Sequence, residues 1–129
     1  MEIALEKVCD LIVHARAYDV KEGPTDPDSG SNETDDRNFG SLAEGGTDRG
    51  EEEMRLVIEG LDVDEQASLI ALVFVGRGDM EPAEWPDAFR LAHERLAAGS
   101  LKPSDYLMGI PNLGDLLDEG LAGLGMSCT

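Results

Sequence analysis

The stretch LIALVFV, Leu69 to Val75, is the longest uninterrupted apolar run in the chain, and it constrains everything around it. Seven such residues leave no polar side to turn to water, so the element carrying them must pass through the middle of a fold. Asp62, with Glu65 three residues on, has the spacing of a capping box, in which each side chain satisfies the other's backbone N–H at a helix start. The pair predicts a helix that begins just after Asp62 and runs through the core. Val and Phe also form strands, and a buried strand from Leu69 to Val75 is the competing reading.

The flanking segments carry helical periods of their own. In EIALEKVCDLIVHARAYD, Leu5, Val8, Leu11, Ile12, Ala15 and Tyr18 recur at helical spacing, while Glu2, Glu6, Asp10 and His14 step by four along another face. DRGEEEMRLVIEGL puts acids in its first turn, where the helix dipole favours them, and Gly60 near its end. Pro82 and Pro86 open EPAEWPDAFRLAHERLAAG, whose Trp85, Phe89, Ala92 and Leu96 form an inward face. After SLKPSD come a short helix to Met108, a break at Gly109 to Pro111, and a last helix with Leu113, Leu116, Leu117 and Leu121 in register. Gly120, Gly123 and Gly125 weaken that helix, so residues 123–129 are expected to fray or to need a partner.

The sum is an all-α fold, one domain over residues 1–129 built as a bundle of about five to six helices. A chain of 129 residues buries roughly two thirds of its unfolded surface, enough for one core. That core is expected around Leu69, Leu72, Val73 and Phe74, with Trp85 and Phe89 against it.

One segment, about 20–47, has no period at all. It dissolves into Gly, Pro, Ser, Asn and Asp and is far longer than an ordinary helix connection, the mark of a functional or a disordered loop. It also concentrates charge: from Asp19 to Glu53, twelve acids and three bases account for −9 of a net −18. Asp26, Asp28, Asp35 and Asp36, with Glu51, Glu52 and Glu53 of the following helix, are therefore the candidate partner-binding residues. Ser29, Gly30, Ser31 and Asn32 are candidates for ordering the loop through side-chain to backbone hydrogen bonds and a positive backbone angle at the glycine.

Several motifs suggest chemistry and fail on context. Asp28-Ser29-Gly30-Ser31 matches the aspartic-protease tetrad, but that tetrad needs an apolar strand leading into a shielded site where two carboxylates share a proton. Here it follows EGPTDP. Asp26, Asp28, Asn32, Asp35 and Asp36 supply oxygens suited to calcium, yet an EF-hand starting at Asp26 meets Gly30, Ser31 and Arg37 where an oxygen ligand, glycine and glutamate are required. A solvated or self-bonded acidic loop is the ordinary alternative, with a weak non-standard cation site behind it.

The Glu2, Glu6, Asp10 and His14 stripe holds a single imidazole and no second His or Cys, which suits a wet helix face better than a metal. Cys9 and His14 stand five apart, a poor fit to one helix face, and His93 reads as an edge residue beside Trp85 and Phe89. Arg77-Gly78-Asp79 and Asn32-Glu33-Thr34 read as chance matches to an integrin tripeptide and a glycosylation sequon. No catalytic constellation, metal set or cofactor motif stands out, so a non-enzyme without cofactor is expected.

The charge restricts partners. With 28 acids against 10 bases, the chain has no cluster of Lys and Arg to displace counterions from phosphates, which argues against direct nucleic-acid binding and against an anionic membrane surface. It favours a basic protein surface. Two cysteines, Cys9 and Cys128, show no spacing of a disulfide framework or a zinc site, and no apolar run has the length of a signal segment or a membrane span. A reducing cytoplasm is the expected setting.

TDPDSGSNETDD, EGLDVDEQASLIALVFVGRGD and YLMGIPNLGDLLDEGL, in that order, resemble a small bacterial family known as domain-of-unknown-function family 3775. The resemblance implies a stand-alone helical bacterial domain, with no activity, cofactor or partner attached. It also implies that the acidic loop and the Gly-Arg-Gly-Asp turn belong to a pattern.

Two functions use the same charge. One is a non-enzymatic interaction module docking on a basic partner, with the Leu-rich last helix supplying buried area or a homodimer face. The other is a DNA-mimic inhibitor of the anti-CRISPR or anti-nuclease type, whose spaced carboxylates fill a phosphate-binding groove. A weak cation-binding sensor or enzyme using residues 26–36 is the third.

Overall fold

The computed structural model describes residues 1–22 and 50–128, and among them all regular structure is helical. In chain order these are α1 (Leu5–Glu22), α2 (residues 50–59), α3 (Val63–Gly76), a 3-10 turn (Pro82–Glu84), α4 (Trp85–Ala97), α5 (Pro103–Met108) and α6 (Leu113–Gly123). The expected all-α class, with about five to six helices, is borne out by six α-helices among the described residues. The segment 23–49 lies outside the described residues.

α3 is the centre, and every residue from Gln66 to Val75 is buried. Its start is the capping box: Asp62 Oδ1 accepts from Glu65 N at 2.8 Å and Glu65 Oε1 accepts from Asp62 N at 3.0 Å. A box of this kind satisfies two otherwise orphaned donors, which decides for helix over strand at this sequence. The helix ends in a Schellman turn, with Asp79 N donating to Phe74 O, Gly78 N to Val75 O, and Gly78 at φ +86°. The Arg77-Gly78-Asp79 tripeptide is thus a helix stop.

Both α6 and α4 pack along α3, and α1 packs on α6. The α3–α6 crossing is close because glycine faces backbone on both helices. A Cβ on Gly120 would collide with the Leu72 carbonyl oxygen, and one on Gly76 with that of Leu116. The glycine read from sequence as a weakness of the last helix is what lets it seat. Beyond it, Gly125 at φ +81° turns the chain, Met126 N donates to Leu121 O at 2.8 Å, and Cys128 is joined to Cys9 of α1. As far as Cys128, the tail is capped by this turn and joined to α1.

That disulfide corrects the reading of the cysteines. Their separation of 119 residues shows no framework spacing, but the packing of α1 on α6 brings their Cα atoms to 5.7 Å, within the range a disulfide spans. The inward face of α4 is the one expected, with Ala92 in the core and Trp85, Phe89 and Leu96 packed against it, and it also takes in Ala88. Ala88 and Ala92 are fully buried, whereas Trp85 and Phe89 are half-buried at the flanks of the core. Small side chains let α4 approach α3, and the aromatics close the seam from outside.

α2 is anchored by Met54 and Ile58, both buried, and by polar ties. Gln66 Nε2 donates to Ile58 O at 2.9 Å, and Ser104 Oγ of α5 donates to Glu59 at 2.8 Å. At the other end, Glu2 N donates to the buried Ser68 Oγ at 2.9 Å. No buried side-chain nitrogen or oxygen among the described residues lacks a partner, as a stable interior requires.

Candidate functional site

The first helix divides its charges by face. Lys7 pairs with Glu65 of α3 at 2.6 Å, and Arg16 with Asp115 and Asp118 of α6 at 3.0 and 3.3 Å. These two cations are therefore engaged with neighbouring helices. Glu2, Glu6 and Asp10 are exposed and have no ion pair among the described residues. Glu6 and Asp10, four apart on α1, share a helix face, and with the exposed Glu2, which precedes the helix, they make up an acidic stripe.

On α2 the predicted candidates divide. Glu51 is half-buried and accepts from Arg55 at 3.4 Å, while Glu52 and Glu53 are exposed. Arg55 also bonds Asp105 at 2.7 Å, which fixes α2 to α5. The remaining candidates, Asp26, Asp28, Asp35 and Asp36, and the loop-ordering set Ser29, Gly30, Ser31 and Asn32, lie outside the described residues, as do the cation-loop and protease-tetrad readings that rest on them.

The Lys7–Glu65 pair shifts the titration of both partners. The hydrogen bond from Lys7, then the backbone bond from Asp62, hold the Glu65 carboxyl below its ordinary range. The hydrogen bond to Glu65, followed by its charge, pushes the Lys7 ammonium up. Glu65 thus caps α3 and ties α1 to it with the same carboxylate.

His14 places Nδ1 2.9 Å from the Asp10 carbonyl of its own helix. No group of three His, Cys, Asp or Glu among the described residues is placed to hold a metal. Cys9 is disulfide-bonded and carries no thiol nucleophile in this state. His93 sits 3.1 Å from Asp64 Oδ1 and packs on Phe89 with ring centroids 5.8 Å apart, an edge position as read from sequence. The leucines offered as a docking or homodimer face are used inside the fold: Leu113, Leu117 and Leu121 are at most 2% exposed. No helix among the described residues is long and apolar enough to cross a membrane.

The sequence profile of one family matches residues 51–126, well over half of the chain. The chain belongs to DUF3775, a family of proteins of unknown function. The match takes in α2 to α6, with the apolar helix, the Gly-Arg-Gly-Asp turn and the Leu-rich last helix. It leaves out α1, the TDPDSGSNETDD stretch and both cysteines. No curated protein and no solved structure was found to match the chain.

A feature that sequence reasoning missed is a surface groove of about 530 Å³ where α4 turns into α5, lined by Arg95, Ser100, Leu101, Lys102, Asp105 and Tyr106. It gives no periodic signal, because its residues come from a helix end, a turn and a six-residue helix.

Proposed function

We propose that this DUF3775 protein is a non-enzymatic interaction module whose acidic surface docks on a basic protein partner. The observation that carries the reading is the Glu2, Glu6 and Asp10 stripe at the start of α1, exposed and without an ion pair among the described residues, while Lys7 and Arg16 of the same helix are engaged elsewhere. Glu52 and Glu53 add exposed charge on α2. Charge of this kind raises association rates and selects partners by complementarity, while apolar contact supplies most of the affinity. A net charge of −18 makes both effects strongly salt-dependent.

The cytoplasm is the setting we infer. The test of function is affinity purification from the source cell, with the wild type beside a Glu2→Gln, Glu6→Gln, Asp10→Gln variant. A protein with a basic surface should be retained by the wild type and lost both by the variant and at raised ionic strength. Retention unchanged by both would refute the acidic stripe. Duplex DNA added as competitor separates the DNA-mimic reading, which requires displacement of the same partner.

A further inference from the structure

Seven basic residues have described side chains, and five of them are committed to carboxylates: Lys7, Arg16, Arg55, Arg77 and Arg90. The two without an ion pair among the described residues, Arg95 and Lys102, line the same groove between α4 and α5. In a chain with 28 acids and 10 bases, two cations left without carboxylates on one concave surface mark a place for an anion from outside.

The groove is also held in shape. The Arg95 guanidinium lies 5.8 Å from the centre of the Phe74 ring, a cation–π contact that steadies it, and Ser100 Oγ donates to the Arg95 carbonyl at 3.3 Å. Tyr106 Oη accepts from Arg77 Nη2 at 3.1 Å, so its own proton remains to be donated to a ligand. Asp105 is the opposing charge on the rim, and Arg55 holds it at 2.7 Å.

We propose that this groove binds a small organic anion, a phosphate monoester or a carboxylate attached to a flat apolar body. Arg95, Lys102 and the Tyr106 hydroxyl meet the head, and Leu101 with the Tyr106 ring meets the body. Charge-assisted hydrogen bonds from guanidinium and ammonium supply most of the interaction, and a volume of about 530 Å³ falls in the range of small-molecule sites. The site is separate from the acidic stripe and opposite to it in sign.

Two probes test it on the full chain by NMR titration at physiological ionic strength, phenyl phosphate and benzoate. Saturable shifts should centre on residues 95, 100–102 and 106. Tighter phenyl phosphate assigns a phosphate monoester and tighter benzoate a carboxylate; either supports the site. The Arg95→Gln, Lys102→Gln double variant should weaken binding by at least about tenfold, and Tyr106→Phe by a smaller factor. Arg90→Gln, which removes one positive charge outside the groove, should leave affinity unchanged. Absence of saturation with both probes up to about 10 mM, equal binding by the double variant with an unchanged folded spectrum, or equal weakening by Arg90→Gln would each overturn the proposal.

Discussion

Gly120→Ala sets two well-known effects against each other, which makes its sign informative. In an exposed helix interior, alanine in place of glycine stabilises by up to about 1 kcal/mol, because glycine loses more backbone freedom on folding. At Gly120 the new methyl would strike the Leu72 carbonyl oxygen, and it would lie 3.0 Å from the carbonyl carbon and 3.1 Å from Cα of the same residue. These atoms belong to the backbone of the most buried helix, so no side chain can swing away. Relief requires α6 to move off α3, opening the core over Leu117 and Leu121. Overpacking of this kind costs about 1–3 kcal/mol, occasionally more, so the net expectation is destabilisation of about 1–2 kcal/mol after the propensity gain. Urea unfolding monitored by circular dichroism reads this as a lower midpoint at unchanged slope. Gly50→Ala is the control, since a Cβ there meets nothing within 4 Å among the described residues, and it should be neutral or slightly stabilising. If Gly120→Ala is as stable as the wild type or more so, the close α3–α6 crossing is refuted.

Leu72→Ala should cost about 2–5 kcal/mol, since Leu72 is wholly buried on the central helix; a loss below about 1 kcal/mol in the same urea assay would make α3 peripheral. The Glu65 carboxyl is depressed in the fold, so its contribution is complete above its ordinary pKa of 4.5 and disappears as pH falls through the folded value. The stability gap between wild type and Glu65→Gln, which can still cap, should therefore narrow on acidification below that value, and a constant gap would remove the Lys7 pair from the account. Cys128→Ser, or reduction, opens a link across 119 residues, worth about 4–5 kcal/mol in the chain-entropy limit. Oxidised and reduced protein unfolding at the same urea concentration would show that the disulfide does not form in solution.

What the sequence disclosed followed from features that act locally. Asp62 and Glu65 fix the start of α3 through bonds three residues apart, and the apolar run to Val75 needs no knowledge of its neighbours to be placed inside. The errors came where two distant segments meet. Gly120 read in isolation is a poor helix former, and only Leu72, 48 residues earlier, explains it. Leu113, Leu117 and Leu121 looked like a free docking face because periodicity shows which residues share a side, not what covers that side. Cys9 and Cys128 carried no spacing signal because α1 and the tail are brought together by the fold alone. On α4 the period found Ala92 and the aromatics that pack on the core, but not Ala88, which is fully buried beside them.

The same distinction governs the surface. A net charge of −18 describes the whole chain and suggests that cations are merely scattered among acids. Pairing shows otherwise: Lys7, Arg16 and Arg55 each join two helices, so they serve the fold and are unavailable outside it. Removing their charge should lower stability before it alters any association. Arg95, whose guanidinium touches only the Phe74 ring, and Lys102 make no ion pair among the described residues, and neither do Glu2, Glu6 and Asp10. Exposed charges without such ties are nearly neutral for stability. The stripe and the groove can therefore be neutralised separately with the fold intact, and a partner lost only with the stripe variant, or an anion lost only with the groove variant, assigns each surface on its own.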